Sequence, residues 1–131
     1  MKKVLIVEVV DDEAPERSAL RDKLTQSGFS ILEAKDGEEG LKIALREHPD
    51  VILLDIVMPK MDGMVVLHKL RQDEWGKKAS VIILTNYDAN DPILFNVVRD
   101  QPSYYFLKAN TPLENLLEKI QELLKSKKEE E

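Results

Sequence analysis

The segment that decides the fold is residues 51–63, which read Val51-Ile52-Leu53-Leu54-Asp55-Ile56-Val57-Met58-Pro59-Lys60-Met61-Asp62-Gly63. Its first four residues are all apolar, as expected for a strand that is covered on both faces. Asp55 follows them directly, and the proline and glycine beyond it predict a loop. A carboxylate at the exit of a buried strand is well placed to do chemistry.

Three further strand-like runs also end in polar side chains. They are residues 4–10 before Asp11 and Asp12, residues 81–84 before Thr85, and Tyr104–Leu107 before Lys108. The carboxyl ends of parallel strands meet at one edge of a sheet, and ligands bind outside that edge where the strand order reverses. We therefore expect these side chains to share one rim.

Helix-like segments separate the strands, including a further strand at Ser30–Ala34. The predicted helices are residues 14–27, residues 37–47, one marked by Val66, Leu67 and Leu70, one starting at Asp91-Pro92, and one after Thr111-Pro112-Leu113-Glu114. This alternation predicts an α/β domain with helices on both faces of a parallel sheet. We expect a domain at residues 1–125 and a frayed charged tail at residues 126–131.

Bulk composition limits the class of protein. A chain of 131 residues fits one domain, and its net charge of −6 argues against the basic patch of a nucleic-acid binder. Cysteine is absent, which excludes a disulfide framework and a thiolate site. The apolar runs fall far short of the roughly 20 residues that span a bilayer. The expectation is a cytoplasmic protein that binds neither nucleic acid nor membrane.

The polar rim suggests phosphoryl chemistry. Carboxylates held about 4 Å apart repel by about 4 kcal/mol at an effective dielectric near 20, so Asp11, Asp12 and Asp55 need a cation. Oxygen ligands point to a hard ion such as Mg²⁺, which commonly pairs one or two carboxylates with a phosphate oxygen. A carboxylate can itself accept the phosphoryl group, and Asp55 on its buried strand is the best candidate. Lys108 and Thr85 can then contact the phosphate oxygens.

Along nearly its whole length the chain resembles the receiver domains of two-component response regulators. The resemblance is carried by Asp11-Asp12 before the first helix, by the segment from Asp55 to Gly63, by Thr85 and by Lys108. It implies a flavodoxin-like, doubly wound, five-stranded parallel sheet in the order 2-1-3-4-5 with five helices. The resemblance is to the stand-alone, single-domain type, because no DNA-binding or enzymatic segment follows the last helix.

The resemblance also implies roles for individual residues. Asp55 accepts a phosphoryl group from a sensor histidine kinase or phosphotransfer protein, and Asp11, Asp12, Asp55 and the Val57 backbone carbonyl hold Mg²⁺. Thr85 and Tyr105 form a switch that alters a surface for a downstream protein target. We also expect that the chain is no enzyme apart from self-phosphorylation and slow autodephosphorylation, and that it is a monomer or weak dimer.

Glu8-Val9-Val10 departs from the family pattern, in which an apolar run leads almost straight into the acidic pair. If the strand continues to Val10, Glu8 lies inside it, and an unpaired buried charge costs several kcal/mol. Either a bulge brings Glu8 to the strand end or the strand slides. Our hypothesis is that Asp11 and Asp12 keep their roles, whereas loss of Mg²⁺ binding in Glu8→Ala would make Glu8 a ligand.

Two other departures affect function. Ala109 follows Lys108 where many relatives have a proline after a cis bond, so we expect a trans bond and a shifted loop. Val57 and Tyr87 occupy the two positions that in relatives tune the attack of water, and neither side chain can position it, which predicts slow hydrolysis. A phosphorylation-independent scaffold is the alternative function. A nucleotide- or flavin-binding protein is a weaker one, because no glycine-rich loop follows the first strand.

Overall fold

A computed structural model describes residues 4–85, 102, 104–107 and 112–129 of the chain. Its strands are β1 (Ile6–Val10), β2 (Ser30–Ala34), β3 (Val51–Asp55), β4 (Val81–Thr85) and β5 (Tyr104–Leu107). Its α-helices are α1 (Ala14–Gln26), α2 (Gly37–Glu47), α3 (Gly63–Arg71) and α4 (Leu113–Glu129), and a 3₁₀ turn spans Gly76–Lys78. The predicted helix beginning at Asp91-Pro92 lies outside the described residues.

The five strands form one parallel sheet in the order β2-β1-β3-β4-β5, which confirms the predicted fold. β1 lies between β2 and β3, so the second strand is added on one side of β1 and the next three strands on its other side. The strand order therefore reverses between β1 and β3. Asp11 and Asp55 stand at the carboxyl ends of these two strands, at the edge where open parallel sheets bind ligands.

Apolar side chains cover both faces of the sheet. One core cluster includes Val10, Ile52 and Leu54 of the sheet with Ala44 of α2 and Leu67 of α3. The other core cluster lies on the opposite face of the sheet, where the alternate residues of the same strands pack against α1 and α4. It includes Val7, Val9 and Leu53 of the sheet, Leu20 and Leu24 of α1, and Leu116 and Ile120 of α4. Every residue of β3 and β4 is buried, as the unbroken apolar runs predict for strands between two helical layers.

Helix ends follow local chemistry. Asp36 begins α2 by accepting a hydrogen bond from the Glu39 N–H at 2.8 Å, and Asp62 begins α3 by accepting from Met64 and Val65. His48 ends α2 in the left-handed conformation with φ of 49°. Its ring stacks on Trp75, with centroids 4.3 Å apart, and so joins the end of α2 to the segment after α3.

Two boundaries differ from the sequence predictions. β1 begins at Ile6 rather than Val4, and Val4 is largely exposed. α4 continues to Glu129, beyond Ser126, where fraying was expected to begin, because lysine and glutamate are good helix formers. The division of the chain at residue 125 stays a prediction. None of the helices among the described residues combines the length and apolar character needed to cross a membrane.

Candidate functional site

Three carboxylates meet at the carboxyl edge of the sheet. Asp11 follows β1, Asp12 is the next residue, and Asp55 ends β3. One carboxylate oxygen from each lies within 4.8 Å of those of the other two. Asp11 and Asp55 are buried, whereas Asp12 is exposed to solvent. The sequence prediction that these residues converge is therefore matched by their geometry.

The three carboxylates are suited to a hard divalent cation. At these separations they repel one another by several kcal/mol while all are ionised, and burial of two of them strengthens the repulsion. A cation bound by their oxygens removes it, and carboxylate oxygens are preferred ligands of Mg²⁺. The donor set therefore fits Mg²⁺, and the exposure of Asp12 leaves one of the three carboxylates in contact with solvent.

Backbone contacts hold Asp11 at the exit of β1. Its N–H donates to the Ala34 carbonyl at 3.1 Å, extending the β1–β2 ladder by one residue. Its Oδ1 accepts from the Glu13 N–H at 2.9 Å, which closes a tight turn before α1. The Arg17 guanidinium donates to the Asp11 carbonyl oxygen at 2.7 Å. The direction in which the chain leaves β1 is thus determined from three sides.

The loop after Asp55 folds back on the strand that it leaves. The Ile56 N–H donates to Asp55 Oδ1 at 2.8 Å, and the Gly63 N–H donates to the Ile56 carbonyl at 2.8 Å. A Cβ atom on Gly63 would lie 2.1 Å from the Asp55 carbonyl oxygen, so only glycine fits there. This close return fixes the Asp55 backbone and explains why the motif ends in glycine.

A second contact ties this loop to α2. Lys60 has a positive φ of 68°, and its Nζ lies 3.6 Å from Asp36 Oδ2. The hydrogen bond from the Glu39 N–H, more than Lys60, holds the pKa of Asp36 below its ordinary value. The loop between Asp55 and α3 is therefore anchored both to β3 and to the start of α2. Sequence reasoning did not single out Asp36 as a partner of Lys60.

Glu8 lies in the middle of β1 and takes no part in the acidic cluster. It pairs in regular register with Leu32 of β2 and Ile52 of β3, so neither a bulge nor a slide brings it to the strand end. It has no solvent exposure, and no described residue donates a hydrogen bond to either carboxyl oxygen. Removal from water, with a smaller contribution from Glu39, raises the pKa of Glu8 to about 9. Glu8 is therefore a neutral acid at pH 7.

Helix α2 seals Glu8 in the core. A Cβ atom on Gly40 would lie 2.6 Å from a methyl group of Val10, so α2 approaches β1 as closely as a helix can. Glu8 points to the same side of the sheet as Val10 because side chains alternate along a strand. Ala44, buried one turn after Gly40, continues the small-residue face over this side of β1. With α2 this close to β1, Glu8 on the same face of the strand has no solvent exposure.

The other predicted site residues are described only in part. Thr85 ends β4, is buried, and follows the residue that pairs with Asp55. Its backbone pairs with Leu107, the residue before Lys108, and Tyr105 pairs with Ile83. Lys108, Ala109 and Tyr87 lie outside the described residues, as does the Lys108–Ala109 bond. Val57 is 57% exposed, two residues beyond Asp55.

Arg17 is a site residue that sequence reasoning missed. It was one of several basic residues on the first helix, and nothing in the sequence separates it from Arg21. Only the turn after β1, which brings the Asp11 carbonyl to the first turns of α1, makes its position special.

Known proteins agree with this geometry. Residues 7–121 match the family model described as the response regulator receiver domain. The response regulator MprA of Mycobacterium leprae is 34% identical over 119 residues, which are 91% of this chain and 50% of that protein. The chain spans about half the length, or less, of the curated relatives that it matches.

Solved structures give the same result. A CheY-like receiver domain from Methanospirillum hungatei superposes with a TM-score of 0.88 at 24% identity, covering 98% of this chain and 100% of that one. The response regulator TrrA of Thermotoga maritima, solved with Mg²⁺ and BeF, gives a TM-score of 0.78 at 31% identity, covering 92% and 99% of the two chains. With its sheet order and its acidic edge, this chain belongs to the response regulator receiver domain family.

Proposed function

We propose that the chain accepts a phosphoryl group on Asp55 from a sensor histidine kinase or phosphotransfer protein, and that this modification alters a surface for a downstream protein target. The observation that carries the proposal is the approach of the Asp11, Asp12 and Asp55 carboxylates to within 4.8 Å of one another. Carboxylates at this separation repel one another, and a hard divalent cation bound by their oxygens would remove that repulsion. The Mg²⁺–BeF complex of TrrA supports the same ligand chemistry.

In the proposed reaction, an Asp55 carboxylate oxygen attacks phosphorus. The bond between phosphorus and the donor's phosphohistidine nitrogen breaks, and the imidazole leaves with the bond pair. Asp11, Asp12, Asp55 and the Val57 carbonyl would hold Mg²⁺, which when bound neutralises charge on the phosphoryl oxygens. The Ile56 N–H donates to Asp55 Oδ1 at 2.8 Å, which limits rotation of the carboxylate that we propose as the phosphoryl acceptor.

Thr85 and Lys108 complete the proposed site. Lys108 would neutralise a phosphoryl oxygen, and the Thr85 hydroxyl would donate a hydrogen bond to another. Thr85 ends a fully buried strand, so movement of its side chain towards the phosphoryl group would draw on the segment that follows β4. Tyr105, one strand away, would change rotamer with it. The family match and the strand order support these proposed assignments.

The test is direct phosphorylation of the chain. Incubation with Mg²⁺ and a small acyl-phosphate donor should add one phosphoryl mass, and the gain should vanish in Asp55→Asn and in EDTA. Asp62→Asn is the matched control, because Asp62 is a helix cap in the same loop. A persistent gain in Asp55→Asn, or no gain in the wild type, would contradict the proposal.

The same experiment tests the alternative functions of the chain and measures the lifetime of its phosphorylated form. A phosphorylation-independent scaffold would gain no mass, and a nucleotide- or flavin-binding protein would gain none from an acyl phosphate.

We propose slow autodephosphorylation because Val57 is exposed and apolar beside Asp55, where it cannot orient water. Val57→Asn should speed loss of the label, and an unchanged rate would count against this role. A cytoplasmic location and a monomer or weak dimer stay predictions from the sequence.

A further inference from the structure

Arg17 links three elements at the exit of β1. Its Nη1 donates to the Asp11 carbonyl at 2.7 Å, and its Nε lies 3.4 Å from Glu33 Oε1. Glu33 is on β2, opposite Val9 of β1. The Arg17 side chain is only 18% exposed, so its position is well constrained. One guanidinium therefore connects α1, β2 and the turn that carries the acidic pair.

The hydrogen bond from Arg17 to the Asp11 carbonyl orients the peptide bond between Asp11 and Asp12. The Asp11 N–H is held by the Ala34 carbonyl at 3.1 Å, and the Asp11 carbonyl is held by Arg17. Because a peptide unit is planar, fixing the carbonyl direction fixes the path from the Asp11 Cα to the Asp12 Cα. Arg17 thereby constrains the position of the Asp12 Cα, from which the exposed Asp12 carboxylate extends, relative to the two buried carboxylates.

We propose that Arg17 is a positioning residue for divalent-cation binding by Asp11, Asp12 and Asp55, and that Glu33 orients Arg17. The inference rests on the proposed function of this edge as a Mg²⁺-dependent phosphoryl-acceptor site. Groups that orient metal ligands change metal affinity by about 10- to 100-fold when they are removed. Without Arg17 the Asp11 carbonyl can point in other directions. Cation binding must then restore the direction that Arg17 holds, and this cost weakens the binding.

The chain offers a matched control on the same helix. Arg21 lies one turn after Arg17, and its Nη1 also reaches Glu33, at 3.4 Å. It pairs with Asp22 as well and is 42% exposed. None of its described contacts is with residues 11–13. Replacing Arg21 removes the same charge from the same surface and leaves the contact to the Asp11 carbonyl.

The experiment is calorimetric titration of the full chain with Mg²⁺, paired with thermal unfolding in EDTA. Arg17→Gln should weaken Mg²⁺ binding by about ten-fold or more, while Arg21→Gln should stay within about two-fold of the wild type. Glu33→Gln should fall between them, because it frees the guanidinium without removing it. A purely structural role would lower the unfolding temperature in EDTA and leave the Mg²⁺ dissociation constant unchanged.

Each outcome decides something. Equal Mg²⁺ affinity in Arg17→Gln and the wild type overturns the inference and leaves the proposed function intact. Equal weakening in Arg17→Gln and Arg21→Gln also overturns it, since net charge would then be the cause. A wild type that binds no Mg²⁺ overturns the inference together with the metal site. If Arg17→Gln fails to fold, Arg17→Lys and Arg21→Lys decide by the same comparison.

Discussion

Glu8 and Asp11 are three residues apart, and both carboxyl groups are buried, yet their surroundings differ. Asp11 Oδ1 accepts a hydrogen bond from the Glu13 N–H, and Asp11 approaches two other carboxylates at the rim. Glu8 receives no hydrogen bond from any described residue. The cause is the place of each residue in the sheet. In mid-strand the neighbouring backbone N–H groups are used by the ladders on both sides, whereas a turn leaves N–H groups for side chains.

Other carboxylates at element ends follow the pattern of Asp11. Asp36, Asp55 and Asp62 each accept from a backbone N–H just beyond them, and Asp50 accepts from the Ile6 N–H at 2.7 Å. The pKa of Asp36 is lowered, while that of Glu8 is raised to about 9. The comparison teaches that a backbone donor accompanies the lowered pKa of Asp36, whereas burial without a described donor accompanies the raised pKa of Glu8.

The largest expected effect is the stabilisation of the fold by Glu8→Leu. Keeping Glu8 protonated at pH 7, above its ordinary pKa, costs about 3 kcal/mol, and its unmade hydrogen bonds add at least about 1 kcal/mol. Leucine fits the apolar cluster around β1 and removes both costs. Urea unfolding at pH 7 should show a gain of about 4 kcal/mol. Glu38→Leu on the exposed side of α2 is the control and should change stability little. A loss of stability in Glu8→Leu would mean that Glu8 has a partner.

The next effect is a pH dependence with a defined sign. The folded pKa of Glu8, about 9, exceeds its ordinary value of 4.5. The free energy of unfolding is therefore unaffected by Glu8 while the pH stays below the ordinary pKa. It falls as the pH rises from there towards the folded pKa. Between pH 6 and pH 8 the free energy of unfolding should fall by about 3 kcal/mol. Glu8→Gln should abolish this slope, since an amide does not titrate, and a slope that survives would assign it to another group.

A smaller effect separates the roles of Glu8 and Asp12. Mg²⁺ at ten times its dissociation constant should stabilise the wild type by about 1.4 kcal/mol. Asp12→Asn should remove most of this increment and leave the Mg²⁺-free protein slightly more stable, because repulsion at the rim falls. Glu8→Gln should keep the whole increment. Thermal unfolding with and without Mg²⁺ measures both, and loss of the increment in Glu8→Gln would make Glu8 a ligand after all.

The smallest effect concerns Asp36, whose pKa shift has the opposite sign to that of Glu8. Asp36→Ala removes the cap of α2 and should cost about 1 kcal/mol. Because its folded pKa is lowered, Asp36 contributes stability above its ordinary pKa and loses it as the pH falls. Asp36→Ala should thus flatten the acid side of the stability profile and leave the slope between pH 6 and pH 8 unchanged. A change in that slope would couple Asp36 to Glu8.

Much of this fold could be predicted from the sequence because its signals are local. Unbroken apolar runs such as residues 51–54 identify buried strands, and Pro15 and Asp62 mark helix starts. Strand ends that share one edge then bring Asp11, Asp12 and Asp55 together. The sequence does not determine the position of Glu8, because strand register depends on contacts between distant segments. Arg17 was missed because a turn, and no sequence pattern, directs it to the Asp11 carbonyl.

The stack of His48 on the chain's single tryptophan, Trp75, has a practical consequence for spectroscopy. Because α2 and α3 run back from the carboxyl edge, their far ends place this indole across the molecule from the acidic edge. Its emission should report separation of the two rings on unfolding and remain nearly silent when a cation binds. Fluorescence therefore gives a stability signal that is independent of occupancy of the acidic edge.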